Sequence, residues 1–250
     1  MANTFKRKRD VWIVVSVVIV VCMYALVAMH ERLFLWSMVK FKYGRDKSSA
    51  YNAVLEDRGR IECTSHSPSE VEIAAPGFFF VSPHPVEKMS ATEWVFSYSL
   101  ESAAAVHVRK CPSDFQESEE YRDLKNMLYG DEPVSLYEFN RRQLQVTPDQ
   151  ISFFDSKEEI WRAFLLLMMK PLNADEHQYT ASTENLNIIQ LGFPTPNPPD
   201  IGAAFGPVRC WVFGKDDKSY EIDFIGLDQE AIDCILASFT ITETPMMEKQ

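Results

Sequence analysis

The chain has 250 residues and a formal net charge of −11 at neutral pH, from 25 Lys and Arg against 36 Asp and Glu. The charge is unevenly spread: residues 1–47 carry nine basic and three acidic side chains, a balance of +6, which leaves −17 for residues 48–250. So acidic a body argues against nucleic-acid binding, which rests on neutralising phosphates with Lys and Arg, and nine glycines with little clustering argue against a phosphate-cradling loop.

A basic tail, residues 1–10, contains Lys6-Arg7-Lys8-Arg9, and the nineteen residues from Val11 to Met29 carry no charge. As a helix rising 1.5 Å per residue this run is about 28 Å long, close to the thickness of a bilayer's hydrocarbon core. The sequence therefore predicts a single-pass transmembrane helix over 11–31, a signal-anchor that holds the protein to the lipid bilayer. A cleaved signal peptide fits less well. Its apolar core is usually shorter, and Leu26 stands where a cleavage site after Ala28 wants a small residue. Arg32, Lys40, Lys42, Arg45 and Lys47 follow the run, but the four basic residues packed ahead of it favour a cytosolic amino terminus and an extracytoplasmic body. Leu33 to Val39 predict a continuing helix along the headgroup layer, with Trp36 at the interface. With the polar stretch from Gly44 to Arg60 they make a juxtamembrane helix and stalk over 32–60.

The remainder reads as an α+β fold: one globular domain over 61–242, with an antiparallel sheet packed by helices, and then a flexible tail over 243–250. Alternation begins at Val71-Glu72-Ile73, and Phe78 to Val81 is a short apolar run that suits a strand buried on both faces, or a packed loop. Trp94, Phe96, Tyr98 and Leu100 recur at period two, with Val106 and Val108 in the next strand. Ser113 and Gln116 have capping-box spacing before the stripe Phe115, Tyr121, Leu124, Met127 and Leu128, which stops at Gly130. A second helix is expected from Pro133 towards Leu144. Thr147-Pro148-Asp149 starts a short turn, and Ser156 with Glu159 caps a third helix that should end before Pro171. The run Leu165 to Met169 is too short to span a bilayer and reads as core.

Tyr179 marks one strand of the antiparallel sheet, and Leu186, Ile188 and Leu191 the next. Val208, Cys210 and Val212, a turn at Gly214 to Asp217, then Tyr220, Ile222 and Phe224 predict a β-hairpin. Asp228 caps a last helix whose Ala231, Ile232, Ile235 and Leu236 share a face, and Ser238 to Ile241 closes the domain. This closing segment, Trp211 to Ile241, resembles the end of the PsbP-like α/β sandwich, where a hairpin leads into a helix and a Ser-Phe pair before the final strand. Gly77-Phe78-Phe79-Phe80 is similar to the opening of such domains. The shared features cover a minor part of the chain and are hydrophobic patterns. The resemblance implies a non-enzymatic domain used for assembly or partner binding, with no catalytic residues to carry over.

No P-loop, dinucleotide fingerprint, nucleophile elbow or metalloprotease motif occurs, so no catalytic, cofactor-binding or metal residue is assigned and no cofactor is expected. Cys63, His66 and His84 are too few for a closed zinc site, which wants four ligands. Outside the apolar run lie Cys63, Cys111, Cys210 and Cys234. A disulfide between Cys210 on the hairpin and Cys234 on the last helix is one reading, and buried free thiols are the other. The proline-rich loop from Gly192 to Pro207 is too long for a simple connection. Its Phe193, Pro194, Pro196, Pro198, Pro199 and Phe205 form a candidate partner loop, in which extended backbone offers two phenylalanines to another protein. Two functions fit: a membrane-anchored interaction or assembly domain, which is preferred, and a membrane-anchored hydrolase assembled only in the fold. The second needs His84, His107 and His177 to converge on a nucleophile or carboxylate.

Overall fold

The computed structural model describes residues 19–20, 23, 29–45, 50–64, 70–86, 88–90, 94–99, 104–111, 119–170, 177–197, 205–215 and 218–242. Most of the predicted span, the basic tail, the Ser113–Gln116 capping pair and the tail after 242 lie outside the described residues. Among those described, no helix is long and apolar enough to cross a membrane. Helix α1 runs without a break over 29–42, and Ile19, Val20 and Met23 ahead of it are also helical.

The segment expected to be a stalk is part of the fold. Helix α1 sinks Val39 and Tyr43 fully into a core, a 3-10 turn follows at Ala50–Asn52, and Leu55–Arg60 forms strand β1. Charge misled the sequence reading here. β1 is an edge strand, and polar and charged side chains on an edge guard against unwanted pairing. Trp36, expected at a wet interface, sets its ring edge-on to Phe153 at 5.9 Å, with its Nε1 buried and unpartnered.

Strands β2 (Val71–Ala75) and β3 (Phe78–Ser82) make a hairpin whose turn needs Gly77 at φ 95°. β4 (Lys88–Ser90), β5 (Val95–Ser99) and β6 (Ala104–Lys110) follow. Then come helices α2 (Glu119–Tyr129), α3 (Leu136–Gln145) and α4 (Lys157–Met169). Strands β7 (Gln178–Ser182), β8 (Asn187–Leu191), β9 (Val208–Phe213) and β10 (Ser219–Ile225) lead to helix α5 (Gln229–Ser238) and β11 (Thr240–Ile241).

Local signals explain the helix ends. Ser156 and Glu159 form the expected reciprocal box, with Glu159 N–H donating to Ser156 Oγ at 3.1 Å and Ser156 N–H to Glu159 Oε2 at 2.7 Å. Asp228 caps α5 by accepting from Ala231 N–H at 2.9 Å. Pro133 does not open α3. Ser135 is the cap, its hydroxyl accepting from Glu138 N–H at 3.1 Å, because a side-chain acceptor for an orphan N–H outweighs a proline that merely tolerates the first turn.

Eight strands form one sheet in the order β1-β7-β8-β9-β10-β6-β5-β4, and three form a second in the order β11-β3-β2. The large sheet is mixed rather than antiparallel, because β1 pairs with β7 in parallel. Parallel partners need a long crossover, and here the whole run of chain from 61 to 177 supplies it. One face of the large sheet presents Val106, Ile188, Val212, Ile222 and Phe224 to α5 and to Phe78 and Phe80 of the small sheet. Its other face presents Ile189, Leu191 and Phe213 to α1, α3 and α4, which contribute Val39, Leu144, Ile160 and Leu167. The run Phe78 to Ser82 is thus buried fully on one side only, alternating with half-buried Phe79 and Val81.

Candidate functional site

The proline-rich loop leaves β8 at Gly192, whose φ of 89° suits glycine and whose N–H donates to the His177 carbonyl at 2.8 Å. Phe193 stands 44% exposed, edge-on to Tyr179 at 6.2 Å, and Tyr179 stacks on His177 at 6.4 Å. Pro194 turns inward, and with no N–H it can be buried without orphaning a donor. Thr195 O accepts from Gly206 N–H at 2.9 Å, Pro196 and Phe205 form an antiparallel bridge, and Phe205 O accepts from Gly226 N–H at 3.1 Å. The two feet of the loop are therefore tied to each other and to the β10–α5 turn. Of the six residues singled out in the sequence, Phe193 and Pro196 face outward, Phe205 is half-buried and Pro194 is buried. Pro198 and Pro199 lie outside the described residues.

Of the two readings of Cys210 and Cys234, the disulfide between them does not form. Cys234 bonds to Cys63 across 171 positions of sequence, and Cys210 is a fully buried free thiol whose pKa is driven strongly upward by burial. Cys210 points from β9 into the hydrophobic core with Ile232 and Ile235, whereas Cys63 comes just after β1, which runs beside α5. Arg58 of β1 donates to Asp233 of α5 at 2.6 and 3.1 Å and to Gln190 at 2.8 Å. Gln229 bonds both Gln190, with its carbonyl accepting at 2.8 Å, and Asp233, at 2.8 Å. A covalent bond and an ion-paired network thus fasten the edge strand to the last helix. Reading 44–60 as a stalk hid this arrangement, since it left Cys63 without an element to position it.

The three histidines do not converge. His107 lies mid-way along β6 and His177 just ahead of β7, with three strands between them, roughly 19 Å at the usual spacing. His84 follows β3 in the small sheet. Asp223 sits across from His107 in the β10–β6 pairing, but its carboxylate is held by Arg109 and by Arg209, the latter at 2.8 Å. Among the described residues no group of three or more His, Cys, Asp and Glu could hold a metal ion, and Cys63 is consumed by the disulfide. His66 lies outside the described residues.

Two further places carry unusual polar groups. A cleft of about 490 Å³ is bounded by Tyr129, Arg142, Arg162, Gln145 and Gln150. Arg142 is already engaged there by Glu132 at 2.6 Å and Glu138 at 2.8 Å, and its guanidinium lies 4.9 Å from the Tyr129 ring. Those hydrogen bonds to Glu132 and Glu138 raise its pKa further. Lys170, 2% exposed, ends α4 and donates to three backbone carbonyls, those of Tyr51, Ala53 and Val146, at 3.3, 3.3 and 3.2 Å. Burial pulls its ammonium down to about 8. Neither place brings a nucleophile and a base together, and both serve to hold α3, α4 and the 51–53 segment in register.

No protein-family model matches this chain, and no curated protein matches it in sequence.

Proposed function

We propose that the protein is a single-pass, membrane-anchored interaction or assembly module, extracytoplasmic and non-catalytic, that offers its 193–205 loop to a protein partner. The observation that carries this reading is the base of that loop. A proline-rich excursion is held at both feet, next to a row of exposed His177, half-buried Tyr179 and exposed Phe193. Aromatic side chains presented from a fixed base lose little conformational entropy when they dock, which is what a recognition loop needs. The uncharged run from Val11 to Met29 supports the anchor. The Cys63–Cys234 bond supports an oxidising compartment, since disulfides persist mainly outside the cytosol. The resemblance of the closing hairpin, helix and strand to PsbP-like domains adds an assembly role of the same kind.

The test keeps the base and removes the tip. Residues 198–204 are replaced by a short Gly-Ser segment and, separately, Phe193 by Ala, in the full chain expressed in its own membrane. Both variants are expected to retain the disulfide and a native thermal transition while losing one specific cross-linked partner that the unaltered chain captures. Capture that persists in both variants removes the loop as the docking element.

A further inference from the structure

The part of α1 around Glu31 is not bare. The chain from Pro148 to Lys157 runs back along α1 towards it. Lys40 Nζ donates to Pro148 O at 2.6 Å, Phe153 meets Trp36 at 5.9 Å, and Lys157 pairs with Glu31. Helix α4 therefore starts level with Glu31 of α1. At that level a shallow groove of about 430 Å³ opens between the two helices, lined by His30, Glu31, Phe34, Leu35, Lys157 and Trp161. Its surroundings are strongly apolar: Leu33 is 50% exposed, Phe34 58%, Trp161 41% and Phe154 88%.

We propose that this aromatic end of the helical layer is a lipid-facing collar, seated in the headgroup region where the anchor leaves the bilayer. The proposal rests on the anchor reading of residues 11–29 and adds a second point of membrane contact to it. Continuity selects the occupant. Met29 closes the uncharged run, and at about 1.5 Å per residue Leu33 and Phe34 lie roughly 6–8 Å beyond it, the depth of one polar layer of a bilayer. Phe154 and Trp161 are brought to the same level by the Lys157–Glu31 and Phe153–Trp36 contacts. Tryptophan and phenylalanine favour this zone, where a ring meets acyl chains on one side and water on the other. Arg32, three residues past the uncharged run, supplies a positive charge for lipid phosphates at this level. Because Val39 and Tyr43 lock α1 into the core, the domain stands on the membrane at a fixed attitude.

The experiment installs photoreactive benzoylphenylalanine, one site at a time, in place of Ile19, Phe154, Trp161 or Val71 of the full chain. Each chain is reconstituted in phosphatidylcholine vesicles, irradiated, and read for phospholipid adducts by mass; retention of the disulfide reports folding. Val71, on the small sheet across the large one, is the control. Adducts are expected at 19, 154 and 161 and not at 71. Adducts at 19 with 154 and 161 no higher than 71 overturn the collar and leave the anchor standing. Protein cross-links in place of lipid at 154 and 161 assign the surface to a second copy or a protein partner and overturn it too. No adduct at 19 overturns the anchor, and the collar falls with it.

Discussion

Among the described residues Lys170 meets no counter-ion, and its ammonium donates to three carbonyls from two separate segments. Its folded pKa, about 8, lies below the ordinary lysine value of 10.5. Between these values the unfolded chain holds the extra proton, so stability rises as pH climbs from about 8 towards 10.5 and the increment is lost again as pH falls through 8. At 1.36 kcal/mol per unit the increment is at most about 3 kcal/mol. Urea unfolding at pH 7 and pH 10 should show it in the native chain and not in Lys170→Met; equal pH responses in the two would mean that the ammonium is solvated. Sequence alone gave no sign of this residue. A lysine between Met169 and Pro171 reads as a solvated helix end, and only the return of residues 51–53 over it makes it buried.

Helices obeyed their local chemistry more closely than strands did. Replacing Ser156 by Ala removes a side-chain acceptor from the Glu159 N–H and should lower stability by about 1 kcal/mol. A change below a few tenths in chemical denaturation would show the box to be dispensable. Such caps were legible because both partners sit within four residues of each other, as with Asp228 and Ala231. The hairpin β9–β10 was legible for the same reason, through alternation on either side of a turn. What escaped was non-local. β1 carries the sequence Leu-Glu-Asp-Arg-Gly-Arg, which has no apolar alternation, and its strand character comes from pairing with β7 more than a hundred residues away. Cys63 and Cys234 were both visible, but their partnership depends on that same pairing. At the candidate loop, the proline content marked the place, while the inward turn of Pro194 and the ties at Thr195 and Phe205 needed the fold.

At the scale of the molecule, two cores lie on opposite faces of the mixed sheet, and the first and last parts of the domain are joined by the Cys63–Cys234 bond. Closing a loop of this size restricts the unfolded chain by about 5 kcal/mol in the chain-entropy account, with 2–5 kcal/mol the usual loss when a native bridge is removed. Cys63→Ser should therefore lower the thermal midpoint markedly, and a reducing agent should lower the native chain towards it while leaving the variant unchanged. A midpoint indifferent to reductant in the native chain would show the bridge to be absent in solution. The bridge also governs how the protein answers to tension. A pull applied between its two ends passes from residue 63 directly to residue 234, and everything between is sheltered from the load. At roughly 3.5 Å per residue about 600 Å of polypeptide stays out of reach until the sulfurs part. Oxidation thus sets the length of the tether that an unravelling domain can pay out.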